Sequence, residues 1–380
     1  MTGLATLLRH SCRSALPRRS SSNDPRHGRH SHALTSKNQR NMAVRSSSGQ
    51  GLVTLVNKNN PDTNTPIINP MLEPRFAEIA TFMRAPLADS LENLDIALVG
   101  VPTDLGVTNR AGARHGPREI RNASSLMRTT NLAMGINPYE LCRIADVGDV
   151  RFSNRYDLEI QVNEIEAYFK KLSAAGVRPI TAGGDHSITY PIFKGIAADA
   201  PIGMVHIDAH TDTWGEVWGS KFHHGAPFRL AVEDGLLDPK RTIQIGIRGG
   251  QNFMEGIEFS QSSGMRVVFI EEFAERGVNA IVEEARRVVG DGPTYISFDV
   301  DGLDPVYAPG TGTPEIGGIT TLEAQQLLRG LRGLNLIGGD VVEVAPPFDP
   351  SGNTALVGAS MMFDILCLVA DSIKNRIGSA

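Results

Sequence analysis

The sequence has few cysteines and no long apolar run. Its three cysteines, Cys12, Cys142 and Cys367, show no C-x-x-C spacing, which argues against a disulfide framework and against a thiolate zinc site. This usage of cysteine also fits a reducing compartment. No run of 18 or more consecutive apolar residues occurs, so we expect no segment that spans a membrane.

The basic residues are concentrated at the start of the chain. Residues 1–50 contain nine Arg or Lys and one acid, whereas the whole chain has a net charge of −5, so residues 51–380 carry −13. An acidic body disfavours nucleic acid as a partner. The leader, which begins MTGLATLLRHSCRSALPRRSSS, is rich in Arg and Ser, as transit peptides are. We predict a mitochondrial location ahead of a plastid or cytoplasmic one, and a basic tail without an address is the alternative.

Strand-like and helix-like segments alternate through most of the chain. Residues 1–50 are interpreted as the leader, disordered or removed, and residues 51–85 as an irregular N-terminal segment. From LDIALVGVP onward, continuously apolar strands are followed by amphipathic helices such as VNAIVEEARRVVG. This order is typical of an α/β fold in which helices cover both faces of a mainly parallel sheet. Residues 86–375 are predicted to form a single domain.

Acids and histidines follow four of the predicted strands. In parallel α/β sheets, ligands bind at the carboxyl ends of the strands, and alternate residues of an extended chain point the same way. We therefore expect these side chains to converge. They are Asp208, His210 and Asp212 in HIDAHTD, Asp299 and Asp301 in SFDVD, His186 in GGDHS, and Glu343 in VVEVA.

The donor set is typical of a site for divalent metal ions. Carboxylates and imidazoles without thiolate suit Mn²⁺, and less often Zn²⁺, Fe²⁺ or Ni²⁺. Four carboxylates packed together carry a charge that two divalent ions would balance. A single acid at a strand end is usually a helix cap or turn residue, and Asp185 fits that role or a role as partner of a ligand. Two tight clusters of such groups are not explained in this way.

Several segments resemble the signature motifs of the ureohydrolase family, which comprises arginases, agmatinases and guanidino-acid hydrolases. They are GGDHS, HIDAHTD, SFDVDGLDP, PGTGTPEIGG and VVEVAPP, and the similarity covers about residues 72–372. The segments PRFAEIATFMR and NRAGARHGPREIR are more similar to the agmatinase and guanidino-acid branch than to arginase. The resemblance implies an arginase-like three-layer α/β/α fold with a mainly parallel sheet and a binuclear manganese centre.

The resemblance also implies six ligands for two Mn²⁺ ions per subunit, and Ni²⁺, Zn²⁺ or Fe²⁺ remain alternatives. All six positions match the family motifs without substitution. His206 is interpreted as a core histidine instead. The implied ligands are His186 and Asp212 for the first ion, His210 and Asp301 for the second, and Asp208 and Asp299 as bridges.

Two further residues resemble the family's catalytic groups. A pair of ions can share one water and lower its pKa towards neutrality, and the hydroxide would attack the guanidinium carbon. Glu343 resembles the acid that holds the guanidinium, with a strand-end acid that caps a turn as the alternative. His224 resembles the mobile proton shuttle, since imidazole titrates near neutral pH. His223 is the adjacent alternative.

The substrate's tail is less well defined by the sequence. The segment TWGEVWGSKFHH contains both tryptophans, and Trp214 or Trp218 is predicted to face the guanidinium or the alkyl tail. Loop packing or a subunit contact is the alternative. Arg114, with Arg110 or Arg118 as alternatives, is a candidate partner for a substrate carboxylate. These arginines fit structural ion pairs equally well.

The sequence therefore predicts a hydrolase of carbon–nitrogen bonds in linear amidines. Its expected substrate is a guanidino acid such as guanidinobutyrate or guanidinopropionate, released as urea and an amine. Agmatine, arginine and free guanidine are the alternative substrates. A zinc deacetylase of similar layered fold would use one metal ion, and a non-catalytic homologue would not keep the full ligand set. The resemblance also implies a trimer or hexamer of identical subunits.

Overall fold

The computed structural model describes residues 52–54, 66–68, 73–197 and 199–377. The predicted transit peptide, residues 1–50, lies outside the described residues. Within the N-terminal segment that was expected to be irregular, Leu52–Thr54 (β1) and Pro66–Ile68 (β2) form a two-stranded antiparallel sheet. A short 3-10 turn follows at Phe82–Arg84.

The remaining strands of the described residues form one eight-stranded sheet in which every pairing is parallel. Their order across the sheet is β4-β3-β5-β10-β9-β6-β7-β8, which confirms the predicted parallel sheet. The strands are β3 (Ile96–Val101), β4 (Ile144–Asp149), β5 (Arg178–Gly183), β6 (Ile202–Ile207), β7 (Leu237–Ile247), β8 (Arg266–Phe269), β9 (Thr294–Asp299) and β10 (Leu336–Val342).

Helices connect the strands and cover the sheet. α8 begins with a capping box in which Thr320 and Glu323 satisfy each other's backbone N–H groups, and the Asp157 side chain caps α3. The helices are α1 (Gly116–Ser124), α2 (Pro138–Leu141), α3 (Leu158–Ala174), α4 (Thr189–Ile196), α5 (Pro227–Glu233), α6 (Glu255–Ser263), α7 (Ile270–Val289), α8 (Thr321–Gly330) and α9 (Asn353–Ile377).

The sheet separates two hydrophobic cores because alternate side chains of each strand point to opposite faces. In β3, Ile96 and Leu98 pack into the core formed with α1, α7, α8 and α9. Ala97 and Val99 pack into the other core, formed with α3, α4 and α5. This arrangement confirms the three-layer α/β/α fold and explains why the central strands are continuously apolar.

Helix α9 is long and apolar enough to cross a membrane by length and composition. The sequence of this helix contains no long uninterrupted apolar run, because Asp364 and Asp371 lie among its apolar residues. In the protein, 83% of its most apolar window is buried, and the helix packs against β5, β10, α1 and α8. Such burial is typical of the core helix of a three-layer fold.

Candidate metal centre

The predicted site residues lie at the carboxyl ends of the four central strands. β5, β10, β9 and β6 are consecutive neighbours in the sheet, so the residues that follow them reach one edge. Six of the seven side chains are buried and the seventh, His210, is partly exposed. They are His186 after β5, Glu343 after β10, Asp299 and Asp301 at the end of β9, and Asp208, His210 and Asp212 after β6.

A first group of donors surrounds the ring of His186. Its Nδ1 atom lies 3.1 Å from Asp208 Oδ2, 2.9 Å from Asp212 Oδ2 and 3.2 Å from Asp299 Oδ2. This buried nitrogen forms no hydrogen bond with any of these oxygens. A cation placed among this nitrogen and the three oxygens could bind all four atoms at once. A proton on Nδ1 could not, because the geometry does not allow a hydrogen bond to any of the three oxygens.

The other nitrogen of His186 fixes the tautomer of the ring. Nε2 lies 2.8 Å from Ser297 Oγ, and Ser297 donates its hydroxyl proton to Asp340 Oδ1 at 2.8 Å. Since that single proton goes to Asp340, the serine oxygen accepts the Nε2–H of His186. Nδ1 then directs a lone pair at the carboxylates, as in histidines whose second nitrogen is held while the first binds a metal.

A second group of donors lies on the opposite side of Asp208. His210 Nδ1 is 3.4 Å from Asp208 Oδ1 and 3.1 Å from Asp301 Oδ2. The two oxygens of Asp208 therefore face different histidines, Oδ1 towards His210 and Oδ2 towards His186. This places Asp208 between the two groups.

The buried carboxylates need compensating positive charge. Burial first, and then the charges of Asp301 and Asp208, raise the pKa of Asp299 well above its usual range. Burial and the neighbouring Asp208 raise the pKa of Asp301 to about 7. Two divalent cations would remove this repulsion. The orphaned nitrogen, the paired donor groups and the oxygen and nitrogen chemistry all fit two such ions.

His206 is buried, as expected of a core histidine, but it also contacts the site. Gln244 Nε2 donates to His206 Nδ1 at 3.1 Å. The opposite nitrogen, Nε2, therefore carries the proton and donates to Asp208 Oδ2 at 2.8 Å. The ring packs on Phe228, with 4.5 Å between centroids. His206 thus helps to fix the orientation of the central carboxylate.

Glu343 and His224 form a pair beside the two donor groups. Glu343 Oε1 accepts the backbone N–H of His186 at 3.0 Å and lies 3.0 Å from His224 Nδ1. Its second oxygen, Oε2, is buried without a hydrogen-bond partner. The other imidazole nitrogen, His224 Nε2, is 2.8 Å from Thr108 Oγ1. Burial opposes protonation of His224, but Glu343 raises its pKa to about 9.

Three residues at the site and its rim have a strained backbone. Asp212, Trp218 and Glu343 have φ values of 50°, 52° and 63°, in the left-handed region that side chains larger than glycine rarely adopt. Each such residue costs on the order of 1–3 kcal/mol and persists where the surrounding structure enforces it. At Glu343, directly after β10, the left-handed backbone ends the strand and points the carboxylate into the site.

A cavity of about 370 Å³ opens over the two donor groups. Its walls combine the metal-site acids with loop residues, and no Lys or Arg is found among the described residues that line it. The lining residues used below are Thr108, Trp214, Trp218, His224, Gln251 and Thr313. A substrate in this cavity would have its polar head at the carboxylates and its tail at an uncharged, partly aromatic rim.

The two tryptophans both line the cavity. Trp214 is partly buried, and its indole packs so closely on Gly256 of α6 that an added Cβ would lie 2.7 Å from it. Loop packing therefore contributes to its position. Trp218 is 84% exposed and stands at the tip of a tight turn in which Val217 and Ser220 pair.

The suggestion that Arg114 binds a substrate carboxylate is not supported by its position. Arg114 does not line the cavity, and its guanidinium pairs with the buried carboxylate of Asp104. Arg110 donates to the carbonyls of Thr311 and Gly312, and Arg118 is exposed outside the cavity lining. Of the three, Arg114 forms the structural ion pair that was the alternative.

Asp185 and His223 lie beside the site, but their contacts do not suit them to be a metal ligand or the proton shuttle. Asp185 accepts the backbone N–H of Ser187 at 2.9 Å and so caps the turn at His186–Ile188. A cap is one of the two roles expected for it. His223 Nε2 lies 2.8 Å from the carbonyl of Gly215, and burial lowers the pKa of His223. It is therefore less suited than His224 to hold a proton.

The partners of His186 and His224 were not predicted. Ser297 precedes Asp299 by two positions in β9, so strand parity places it on the same face. Asp340 is an acid inside an otherwise apolar strand, which is a signal for a buried polar network. Thr108 lies in a distant loop, and no sequence pattern indicates its contact.

Known proteins resemble this chain over most of its length. The sequence profile of the arginase family matches residues 94–368. The guanidinopropionase of Pseudomonas aeruginosa is 57% identical over 79% of this chain and 94% of that protein. The mitochondrial agmatinase of Gallus gallus is 48% identical over 77% of this chain and 86% of its own. The structure of proclavaminate amidino hydrolase from Streptomyces clavuligerus superposes with a TM-score of 0.76 at 35% identity, covering 79% of this chain and all of that one.

Proposed function

Since the chain belongs to the arginase family, we propose that it hydrolyses a linear guanidino acid, such as guanidinopropionate or guanidinobutyrate, to urea and an amine. The observation that carries this proposal is the pair of donor groups on the two oxygens of Asp208, next to the unpaired carboxylate oxygen of Glu343. The 57% identity to a guanidinopropionase supports the guanidino-acid class. Agmatine is the second candidate, supported by the 48% identity to an agmatinase.

Six residues would hold the two metal ions. His186 and Asp212 belong to the first group and His210 and Asp301 to the second, and Asp208, whose two oxygens face different groups, would serve both ions. Asp299 completes the set through Oδ2, which faces His186. Mn²⁺ is the proposed ion because the donors are carboxylates and imidazoles without sulfur. When bound, the ions supply an activated water and stabilise developing negative charge.

The protein's own residues would bind the guanidinium and move a proton. Glu343 Oε2 presents a buried negative charge that can accept two or more N–H groups of the planar cation. His224 Nδ1 is held against Glu343 Oε1 while Nε2 contacts Thr108. In the reaction, the water oxygen bonds to the guanidinium carbon and loses its two protons, and the bond from that carbon to the alkyl nitrogen breaks. His224 would pass a proton to that leaving nitrogen. One of the two water protons replaces the one that His224 gives up, and the other leaves to solvent.

Location and assembly are also proposals. The Arg- and Ser-rich composition of residues 1–50 supports import into mitochondria, and the avian relative is itself named as mitochondrial. A homo-oligomer, trimer or hexamer, is proposed from the family resemblance. The only small-molecule partner proposed is the guanidino substrate.

Urea release from a panel of guanidino compounds, measured with added Mn²⁺, tests the proposed reaction. We expect guanidinopropionate or guanidinobutyrate to give the highest kcat/KM, with agmatine, arginine and guanidine slower. If agmatine alone yields urea, the guanidino-acid assignment is wrong and agmatinase is correct. If no compound yields urea while metal analysis finds two ions per chain, the hydrolase assignment itself fails.

Replacing Arg114 by glutamine should leave substrate binding nearly unchanged. The side chain is 45% exposed and pairs with Asp104 outside the cavity, so we expect the KM for a guanidino acid to change by no more than about twofold. The free energy of unfolding should fall by about 1–3 kcal/mol, because the buried carboxylate of Asp104 loses its charged partner. A tenfold rise in KM for the guanidino acid, but not for agmatine, would show that Arg114 reaches the substrate carboxylate after all.

A further inference from the structure

Arg248 is a buried arginine whose guanidinium contacts only backbone carbonyls. The residue follows β7, is 7% exposed and forms no ion pair with a carboxylate in the described part of the chain. Its three nitrogens donate to six carbonyl oxygens at 2.7–3.3 Å. The acceptors belong to Gly246, Asp301, Gly302, Leu303, Glu315 and Ile316.

These contacts hold the loop that carries one donor of the second group. Arg248 Nη2 donates to the carbonyl of Asp301 at 2.7 Å, and Nη1 donates to that of Gly302 at 3.1 Å. The backbone N–H of Arg248 donates to the carbonyl of Ala209 at 2.9 Å. Ala209 precedes His210 and donates its own N–H to Asp301 Oδ1 at 3.1 Å. Arg248 therefore supports both segments that supply the second donor group.

The same guanidinium holds the rim of the cavity. Nη2 also donates to the carbonyl of Glu315 at 2.7 Å, two residues after Thr313, which lines the cavity and donates to Asp301 Oδ2 at 3.3 Å. On its other side, Arg248 is separated by Gly249 alone from the wall residues Gly250 and Gln251. Three loops that meet at the second donor group are thus fixed to one planar cation.

A neighbouring loop packs closely on the guanidinium of Arg248. At Gly318, an added Cβ would lie 2.4 Å from Arg248 Nη2, so the loop approaches the guanidinium as only glycine permits. The rigid fork of an arginine can serve several carbonyls at once, whereas the ammonium of lysine has three donors at one point. The buried positive charge also lies near the carboxylates of Asp301 and Asp208.

We propose that Arg248 is a positioning residue that keeps the His210 and Asp301 half of the centre assembled, and with it the second metal ion. The proposal rests on the binuclear centre of the proposed function. His186, whose ring is fixed instead by Ser297 and Asp340, does not depend on Arg248. Loss of the guanidinium should therefore affect the two ions unequally.

The test compares Arg248→Lys with Arg241→Lys. Arg241 lies on β7, the strand that Arg248 follows; it is partly buried and also donates to two backbone carbonyls, those of Val289 and Pro293. It serves as a matched control remote from the site. Equilibrium dialysis against Mn²⁺ gives the number and affinity of bound ions, and electron paramagnetic resonance reports the spin-coupled Mn²⁺ pair. Thermal unfolding in chelator measures stability separately.

We expect Arg248→Lys to bind one of its two Mn²⁺ ions about 10- to 100-fold less tightly than the wild type does. It should lose the spin-coupled spectrum at metal concentrations that fill both sites of the wild type, and keep the other ion. Arg241→Lys should retain both ions and the coupled spectrum even if it unfolds at a lower temperature. Should Arg248→Lys not fold, Arg248→Gln, which retains two amide donors, takes its place in the same measurements.

Two results would overturn the proposal. If both Arg variants lose stability alike and bind both ions as the wild type does, Arg248 has a structural role only, and the proposed function is untouched. If both ions weaken equally in Arg248→Lys, the residue does not act selectively on the second group. A wild type that binds fewer than two ions would instead remove the binuclear centre, and the proposed function with it.

Discussion

Replacing Asp208 by asparagine is expected to lower kcat/KM for the guanidino acid by about 10³-fold or more. The two oxygens of Asp208 face different histidines, Oδ2 towards His186 and Oδ1 towards His210. An amide presents one oxygen and one NH₂ group, so it can no longer supply an anionic donor to both sides. The variant should therefore bind fewer Mn²⁺ ions at equilibrium, and urea release should fall with that occupancy.

Asp364→Asn is the matched control for the loss of a buried carboxylate. Asp364 is 1% exposed, and its partners are Asn131 and Arg329, outside the cavity. We expect this variant to unfold at a lower temperature but to keep its metal content and kcat. Metal analysis, urea release and thermal unfolding should be measured on both variants. An Asp208→Asn protein that holds two ions and retains wild-type turnover would disprove the bridging role.

Two simple rules predict that the candidate ligands gather at one edge of the sheet. Parallel strands bring their carboxyl ends to one edge, and the alternating positions of Asp208, His210 and Asp212 would point side chains the same way in an extended chain. The chain bends at 208–210 instead, but all three side chains reach the site. Neither rule depends on how distant loops fold. The motifs that carry the family resemblance lie at these same strand ends, and the structure brings their acids and histidines together there.

Contacts between distant segments are what the sequence does not predict. Arg114 and Arg248 are both arginines near site motifs, yet one pairs with Asp104 outside the cavity and the other binds six backbone carbonyls. Their difference arises from loop positions, which no local pattern encodes. β4 was not predicted either, because Asp146 and Asp149 interrupt its apolar run at the sheet edge.

Replacing Glu343 by glutamine is the second change with a large expected effect. Oε2 is buried without a partner and is proposed to bind the cation, while Oε1 accepts the backbone N–H of His186 and contacts the ring of His224. An isosteric amide removes the negative charge, so we expect kcat/KM to fall by about 10²- to 10³-fold. Metal content should remain at the wild-type level, because Glu343 belongs to neither donor group. Loss of both ions would instead assign Glu343 to the metal centre.

The pH dependence of Glu343→Gln distinguishes the role of His224 from that of substrate binding alone. Burial disfavours the imidazolium, and it is Glu343 that raises the pKa of His224 to about 9; without that carboxylate the pKa must fall. If protonated His224 delivers the proton to the leaving nitrogen, kcat declines as pH rises through its pKa.

The alkaline limb of the kcat profile, where kcat declines, should then move by about one pH unit or more towards lower pH in Glu343→Gln. The variant His224→Asn should lack that limb. A limb that stays in place in Glu343→Gln, or persists in His224→Asn, belongs to another group, and the shuttle would have to be sought elsewhere along the cavity wall.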